Sequence, residues 1–238
     1  MLFALWSPKG GSGTSVVSAA LGSFLARRRP VVLVDLAGDL PAIAGLGPGC
    51  EDLRSRPPFP TLVDWLAAGP AAPSEALEDL MRPLGDGLGL VPLGGRLPTV
   101  PDLLPESGAA LAAALAGGPD VVVDAGRADH GVQRAVVEVA DASLIVIRAC
   151  YLALRRAVDD ELTARATGVV LVAEPGRSLD GRDVADVLGC PVLATIRVDP
   201  VVARAVDAGL LVHRPPPVLS RPLRSLAGAL DRRGRRAA

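Results

Sequence analysis

The chain has 238 residues, half of them hydrophobic, and a formal net charge of −1. This length suits one α/β domain or two small ones, and the near-neutral charge argues against a protein that binds nucleic acid over its whole surface. No uninterrupted apolar run reaches the roughly 18 residues that a membrane-spanning helix needs. We therefore expect a cytoplasmic protein, with peripheral membrane contact as the alternative.

Short apolar runs alternate with helix-like segments along the chain. Continuous apolar runs are typical of strands buried on both faces, as in parallel sheets. They predict strands over residues 2–6, 31–35, 88–92, 120–124, 143–147, 168–172 and 191–194. Helical periodicity predicts helices over residues 15–28, 61–68, 74–81, 131–140, 151–165, 180–188 and 199–208. This alternation predicts a doubly wound sheet with helices on both faces. Residues 40–100 are less regular and rich in proline and glycine.

The C-terminal segment, residues 221–238, holds six arginines against Asp231. Its apolar residues recur at helical spacing: Leu223, Leu226, Ala227 and Leu230. The favoured interpretation is a last helix that packs on the domain, and the alternative is a helix on a membrane surface. Gly228 and Gly234 weaken the helix in either case.

A glycine-rich stretch near the N-terminus, "SPKGGSGTS" over residues 7–15, follows the first predicted strand and precedes the first helix. Glycines allow backbone angles that other residues resist, and the start of the next helix favours an anion. The usual phosphate loop is G-x-x-x-x-G-K-[ST]. This loop keeps Gly13 and the final hydroxyl of Ser15, has Thr14 in place of the lysine, and carries an extra lysine, Lys9.

Lys9 is the only lysine among the 25 lysines and arginines of the chain. A compact ammonium and a planar guanidinium fit different sites. The isolated lysine therefore favours a position at which arginine would not serve.

The loop "KGGSGTS" resembles the deviant phosphate loop, K-G-G-x-G-K-[ST], of the ParA/MinD superfamily of dimeric ATPases. Further stretches of the chain resemble the same family in the same order: "VVLVDLAGDLP", "DVVVDAGRA", "DASLIVIRACYLALRRAVD" and "VLATIRVDPVVARAVDAGLLV". The resemblance implies a three-layer, P-loop NTPase-like, doubly wound α/β fold. It also implies a mostly parallel sheet in a single domain over residues 1–238.

The resemblance also implies roles for individual residues, with ATP and Mg²⁺ as cofactors. Lys9 would reach across a homodimer to the partner's nucleotide. Ser15 and Asp124 would hold Mg²⁺, the latter through water, and Asp35 would lie close to the metal. The alternative for both aspartates is a purely structural role, as a carboxylate that caps a turn at the end of a strand. The phosphates would be cradled by the loop backbone, namely Gly10, Gly11, Ser12, Gly13, Thr14 and Ser15.

Three positions depart from the family pattern. Thr14 replaces the lysine that neutralises phosphate charge. Ala37 replaces the aspartate that positions the attacking water, and Asp39, a shift of ~6–7 Å along an extended strand, is the candidate substitute. Ala173 and Glu174 stand where the family has an asparagine that reads adenine. With Lys9 and Asp39 as the catalytic candidates, the sequence leaves open whether the chain is an enzyme and favours weak or absent hydrolysis.

Three functions follow as hypotheses. The favoured one is a positioning or scaffold factor for a septum, a chromosome, or a pilus or secretion apparatus, with a protein partner and impaired hydrolysis. The alternative is an active Mg·ATP-dependent dimerising ATPase in which Lys9 and Asp39 cover the missing groups. A third is a partitioning protein that binds DNA in a salt-sensitive manner. Its contacts would come from arginines such as Arg221, Arg224, Arg232 and Arg233. Nothing supports catalysis by His130 or His213, which we expect to be solvated.

Overall fold

One eight-stranded sheet organises the protein in the computed structural model, which describes residues 1–47, 61–85, 87–95, 97 and 105–237. The strands are β1 (Leu2–Trp6), β2 (Val31–Asp35), β3 (Arg82–Gly85), β4 (Leu88–Val91), β5 (Asp120–Asp124), β6 (Ala142–Arg148), β7 (Gly168–Ala173) and β8 (Val192–Arg197). Their order is β3-β4-β2-β5-β1-β6-β7-β8. All neighbouring strands run parallel except the β3–β4 pair, which is antiparallel. The sheet is therefore mostly parallel, as predicted.

The helices lie on both faces of this sheet. They are α1 (Thr14–Ala26), α2 (Leu40–Ile43), α3 (Leu62–Ala67), α4 (Ala76–Leu80), α5 (Pro105–Ala114), α6 (Gly131–Val139), α7 (Tyr151–Asp159), α8 (Gly181–Leu188), α9 (Pro200–Asp207) and α10 (Ser220–Ala237). No helix in the described part of the chain is both long enough and apolar enough to cross a membrane.

Two hydrophobic cores, one on each face of the sheet, hold the three layers together. Alternate residues of β1 point into opposite cores, with Phe3 and Leu5 in one and Ala4 and Trp6 in the other. The first core receives apolar side chains from α1 and α10, and the second from α5, α6 and α7. This arrangement confirms the doubly wound, three-layer α/β architecture and places the C-terminal ends of the parallel strands along one edge.

Helix α7 ends earlier than the sequence predicted. The helix expected over residues 151–165 stops at Asp159 and is followed by a 3₁₀ turn, Glu161–Arg165. Between them Asp160 is extended, and its carboxylate accepts a hydrogen bond from the Leu162 amide at 3.0 Å. An aspartate that binds the backbone two residues ahead competes with helix continuation.

Helix α10 packs on the domain, as the favoured interpretation held. Its apolar side chains are buried, and it continues through both Gly228 and Gly234. A Cβ on Gly234 would lie 2.6 Å from Met1 Sδ, so this glycine allows a close contact. Five arginines stay exposed on the outer side: Arg221, Arg224, Arg232, Arg233 and Arg235.

The irregular region between residues 40 and 100 is only partly described. The two short helices and the strand predicted there are confirmed as α3, α4 and β4. The proline-rich and glycine-rich stretches over residues 48–60 and 98–100 lie outside the described residues. The sequence did not predict α2, β3 or α5.

Candidate functional site

The glycine loop joins the end of β1 to the start of α1 and is held by its own serines. The hydroxyls of Ser7 and Ser12 both donate to the Lys9 carbonyl oxygen at 2.7 Å. Gly11 and Gly13 have φ angles of 74° and 89°, in the left-handed region where side chains are strained. The glycines at these two positions are therefore required by the shape of the loop.

The backbone amides of the loop are the feature that bears on ligand binding. From Gly10 to Ser15, no amide donates a hydrogen bond to any residue that the structure describes. Gly13, which precedes α1, provides no side chain to cap the helix. A run of unpaired amides at a helix N-terminus is a site for an anion.

A cavity of about 800 Å³ opens in front of the loop. Its walls come from the loop, from the chain after β2, from the chain after β5 and from the start of α6. The polar residues among its lining are Ser7, Lys9, Ser12, Thr14, Ser15, Asp39, Arg127, Asp129, His130 and Gln133. Three segments that the sequence predicted separately are thus brought together around one space.

Asp124 lies fully buried at the end of β5 and is not among the residues that line the cavity. Its Oδ1 accepts from the Gly126 amide at 3.1 Å, whereas its buried Oδ2 has no hydrogen-bond partner in the described part of the chain. Burial first and the neighbouring Asp35 carboxylate second raise the pKa of Asp124, to about 7 in all. The Ser15 hydroxyl and the Gly126 amide act in the opposite direction. An orphaned buried carboxylate oxygen points to a missing cationic or donor partner.

Asp35 organises the turn after β2. Its Oδ1 accepts from the amides of Ala37 at 2.9 Å and Gly38 at 2.7 Å, and its Oδ2 from Leu40 at 3.2 Å. Burial raises the pKa of Asp35 to about 6, although these three donors stabilise the charged form. The turn-capping alternative therefore describes the observed contacts of this carboxylate.

Asp39 lies closer to the loop than an extended chain would place it. Gly38 has a φ of 93°, so the chain folds back after Asp35 instead of continuing as a strand. The Ser15 hydroxyl then lies 3.4 Å from Asp39 Oδ2. Because β2 ends at Asp35, the spacing of an extended strand does not apply to Asp39, and the turn brings this residue beside Ser15.

The residues present fit Mg²⁺ only together with a phosphate. Among the described residues, no group of three or more His, Cys, Asp or Glu side chains is placed to hold a metal alone. Mg²⁺ commonly takes one or two carboxylates and completes its shell with substrate phosphates and water. The orphaned Oδ2 of Asp124 and the hydroxyl of Ser15 suit that pattern.

The three departures from the family pattern have structural counterparts. Thr14 is buried in the first turn of α1, with 7% of its surface exposed. Ala37 packs closely on the chain after β5, because a Cβ on Gly126 would lie 3.0 Å from Ala37 Cβ. Glu174 forms ion pairs with Arg148 and Arg177, so its charge is already balanced.

Sequence reasoning missed the contribution of the chain after β5 to this cavity. Arg127 lies beside the loop, and Gln133 is buried with its amide donating to the Leu36 carbonyl at 2.7 Å. The only signal for them was their position just after a strand that ends in aspartate. His213 is exposed, as expected, whereas His130 is half-buried and begins α6.

Solved structures with this architecture cover nearly the whole chain. The cell division ATPase MinD of Pyrococcus furiosus matches 97% of this chain and 98% of its own, with a TM-score of 0.77 and 21% identity. The chain has the ParA/MinD fold. The septum site-determining protein MinD of Pyrococcus horikoshii, complexed with Mg-ADP, matches 97% of this chain and 95% of its own, with a TM-score of 0.76 and 21% identity.

A ParA family ATPase from Chlorobium tepidum shares this ParA/MinD fold with a TM-score of 0.73 at 21% identity, covering 96% of this chain and 98% of its own. No protein-family model matches the chain. Among curated proteins, the uncharacterized proteins Rv3660c and MT3760 of two Mycobacterium tuberculosis strains are 31% identical over 95% of this chain. The chain spans 63% of the length of these relatives.

Proposed function

We propose that this chain is a spatial positioning or scaffold factor of the ParA/MinD type that binds Mg·ATP but hydrolyses it slowly or not at all. Two neighbours in fold are described as a septum site-determining protein and a cell division ATPase. The partner we propose is a protein of a septum, chromosome-partitioning, or pilus or secretion system, which a homodimer of this chain would recruit.

The observation that carries the proposal is the contrast between what the site keeps and what it lacks. The amides of Gly10 to Ser15 and the unpartnered oxygen of Asp124 are groups that bind phosphate and metal. Thr14 and Ala37 occupy the positions at which the family has a lysine that neutralises phosphate charge and an aspartate that positions the attacking water. Binding groups are retained, and groups that act on the transition state are replaced.

Each retained group has a distinct task in the proposed complex. The loop amides would bind the phosphate oxygens, and Ser15 and Asp124 would hold Mg²⁺, which neutralises phosphate charge. The ammonium of Lys9 forms no ion pair with any described residue. It is therefore available to a second subunit, as the family resemblance implies.

The expected loss in hydrolysis rate is larger than the expected loss in nucleotide affinity. A hydrogen bond to a charged group is worth roughly 1.5–3 kcal/mol, so one missing lysine weakens binding by about one to two orders of magnitude. A missing donor to a developing negative charge reduces the rate by about 10²–10³-fold. The absence of an aspartate at Ala37 reduces it further.

The test is calorimetric binding of ATP·Mg²⁺ to the native protein and to a Thr14→Lys variant, followed by a hydrolysis assay on both. We expect both to bind, the variant more tightly, and neither to hydrolyse ATP at a rate that a switch would need. Native protein that fails to bind while the variant binds would reduce the proposal to a scaffold with a vacant pocket. Failure of both would remove the nucleotide from the proposal.

The active ATPase switch remains a second candidate because one observation favours it. Asp39 Oδ2 lies 3.4 Å from the Ser15 hydroxyl, beside the proposed metal position. If this candidate is correct, native protein hydrolyses ATP and Asp39→Asn abolishes most of that activity. Asp186→Asn, at an exposed position of α8, is the matched control and leaves the rate unchanged. Absence of hydrolysis in the native protein rejects this candidate.

A further inference from the structure

Arg127 lies in a tight turn directly after β5. The turn is tied to the glycine loop, since the Ser7 amide donates to the Gly126 carbonyl at 2.8 Å. Gly126 and Ala128, on either side of Arg127, have φ angles of 55° and 51°. Ala128 is the one non-glycine residue in the described chain with a positive φ. A non-glycine residue in this region stores strain, which is often found at ligand sites.

The Arg127 side chain lies over the glycine loop. A Cβ placed on Gly10 would be 3.2 Å from Arg127 Cδ, so glycine at this position lets the arginine approach the loop backbone. The side chain is 54% exposed and lines the cavity. Its guanidinium is therefore accessible to a ligand bound against the loop.

Only one of the three guanidinium nitrogens of Arg127 has a partner in the described chain. Its Nε forms an ion pair with Asp129 Oδ2 at 3.1 Å. Its two terminal nitrogens hold no hydrogen bond to any residue within the described ranges. Arginine binds phosphate through such a pair of parallel donors.

The described side chains that line the cavity carry no formal net charge. Among the described lining residues, Lys9 and Arg127 are the only lysine or arginine side chains, whereas Asp39 and Asp129 are acidic. Thr14 contributes no charge. In the proposed site Mg²⁺ offsets only part of the negative charge of ATP, so a side-chain cation beside the phosphates would strengthen binding.

We infer that Arg127 supplies the phosphate charge that the loop lacks at Thr14. The inference rests on the proposed Mg·ATP site and names the cation within that site. Arg127 replaces the lysine from a neighbouring segment of the same chain, while Lys9 remains available to a second subunit. The competing interpretation is a solvated surface pair of Arg127 and Asp129 without a ligand.

The test is a double-mutant cycle on ATP·Mg²⁺ affinity, measured by calorimetry. We expect Arg127→Ala to weaken binding ~10- to 100-fold, the range of one charged hydrogen-bond contact. Thr14→Lys added to Arg127→Ala should recover most of that loss. The gain in ATP·Mg²⁺ affinity from Thr14→Lys should be larger in the Arg127→Ala protein than in the native protein. AMP lacks the outer phosphates, so Arg127→Ala should weaken the binding of AMP less than that of ATP.

Arg155→Ala is the matched control, because Arg155 is an exposed arginine that also pairs with an aspartate, Asp159, and does not line the cavity. We expect it to bind ATP·Mg²⁺ like the native protein. Arg127→Gln keeps side-chain length and polarity without charge, so it separates charge from packing. Circular dichroism and the thermal midpoint without ligand establish that both Arg127 variants are folded.

The outcomes separate the inference from the proposed function. Unchanged ATP affinity in Arg127→Ala overturns the inference and leaves the nucleotide site intact. Binding by Thr14→Lys but not by the native protein also overturns it, since Arg127 then does not replace the lysine. If neither protein binds, the proposed nucleotide site fails together with the inference.

Discussion

At the scale of single residues, the site is dominated by two buried carboxylates on adjacent strands. Asp35 and Asp124 are register partners at the ends of β2 and β5, and both are fully buried. Three amides satisfy Asp35, whereas Asp124 keeps an oxygen without a partner in the described chain. Asp124 is therefore the residue at which a change of charge has the largest expected effect.

We predict that Asp124→Asn stabilises the protein in the absence of nucleotide, and more so at high pH. Burial raises the folded-state pKa of Asp124 to about 7 from its usual 3.8. The protonated form thus favours the fold, and this contribution is lost as the pH rises through 7. Asparagine does not ionise, so its advantage in the free energy of unfolding should be ~2.5 kcal/mol larger at pH 8 than at pH 5.

Urea denaturation of both proteins at the two pH values, without nucleotide, measures this difference. A second comparison adds Mg·ATP at pH 8, which should stabilise the native protein more than the variant because asparagine is a poorer partner for the metal. An advantage of Asp124→Asn that does not change with pH would mean that the carboxylate is not titrating in this range.

The sequence located some of these residues and not others, for a geometric reason. Lys9, Ser15 and Asp124 belong to a strand–loop–helix pattern or to a strand end, and such local patterns fix where a residue lies. Asp39 and Arg127 reach the loop through turns at Gly38 and Gly126, both with positive φ angles. A glycine permits that conformation without requiring it, so the sequence alone does not predict the contact.

At the scale of secondary structure, the glycines that follow α2 and α9 bring the C-terminal ends of these two helices into contact. A Cβ on Gly209 would lie 2.5 Å from Gly45 Cα, and a Cβ on Gly45 would lie 2.5 Å from the Gly209 carbonyl oxygen. Helix α2 begins just after Asp39, so this contact connects the turn at the site to α9. A substitution at Gly209 is therefore expected to disturb a backbone-to-backbone contact.

We predict that Gly209→Ala is more destabilising than Gly189→Ala. Both glycines have a φ of 65°, so both substitutions carry the same left-handed strain of about 1 kcal/mol. A Cβ on Gly189 meets nothing within 4 Å, whereas one on Gly209 collides with Gly45. We expect the collision to add roughly 1–3 kcal/mol, the usual range for overpacking.

Denaturation curves of the two variants and the native protein give this difference directly. Equal losses of unfolding free energy would show that the chain relaxes around the contact. A lower ATP·Mg²⁺ affinity in Gly209→Ala alone would further show that α2 transmits the disturbance to the site.

Strand β3, which the sequence did not predict, and helix α10, which it predicted in spite of two glycines, both contain residues that disfavour their secondary structure. Strand β3 contains Pro83, which lacks an amide and is tolerated because β3 lies at the edge of the sheet. Helix α10 passes through Gly228 and Gly234 because its apolar side chains are buried and because Gly234 allows contact with Met1. The parallel strands, by contrast, were predicted from their continuous apolar runs, which reflect burial on both faces of the sheet.

At the scale of the whole molecule, the separation of the two cations of the cavity suggests a division of roles. Arg127 is fixed by Asp129 and lies against its own loop. Lys9 is half-buried, and its ammonium pairs with no described carboxylate. Under the proposed function, Arg127 would act within the chain and Lys9 between two chains.

We predict that Mg·ATP increases the dimer fraction of the native protein and that Lys9→Ala removes this response. The reason is that the Lys9 ammonium gains a phosphate partner only when a second subunit approaches. The dimer fraction is measured by light scattering after gel filtration, with and without Mg·ATP, while calorimetry checks that Lys9→Ala still binds the nucleotide. If Lys9 acts between subunits, the variant loses dimerisation and retains most of its ATP affinity. If Lys9 acts on its own nucleotide, both properties decline together. A dimer fraction indifferent to Mg·ATP in the native protein would mean that the nucleotide does not control assembly, and the scaffold function would then depend on the folded chain alone.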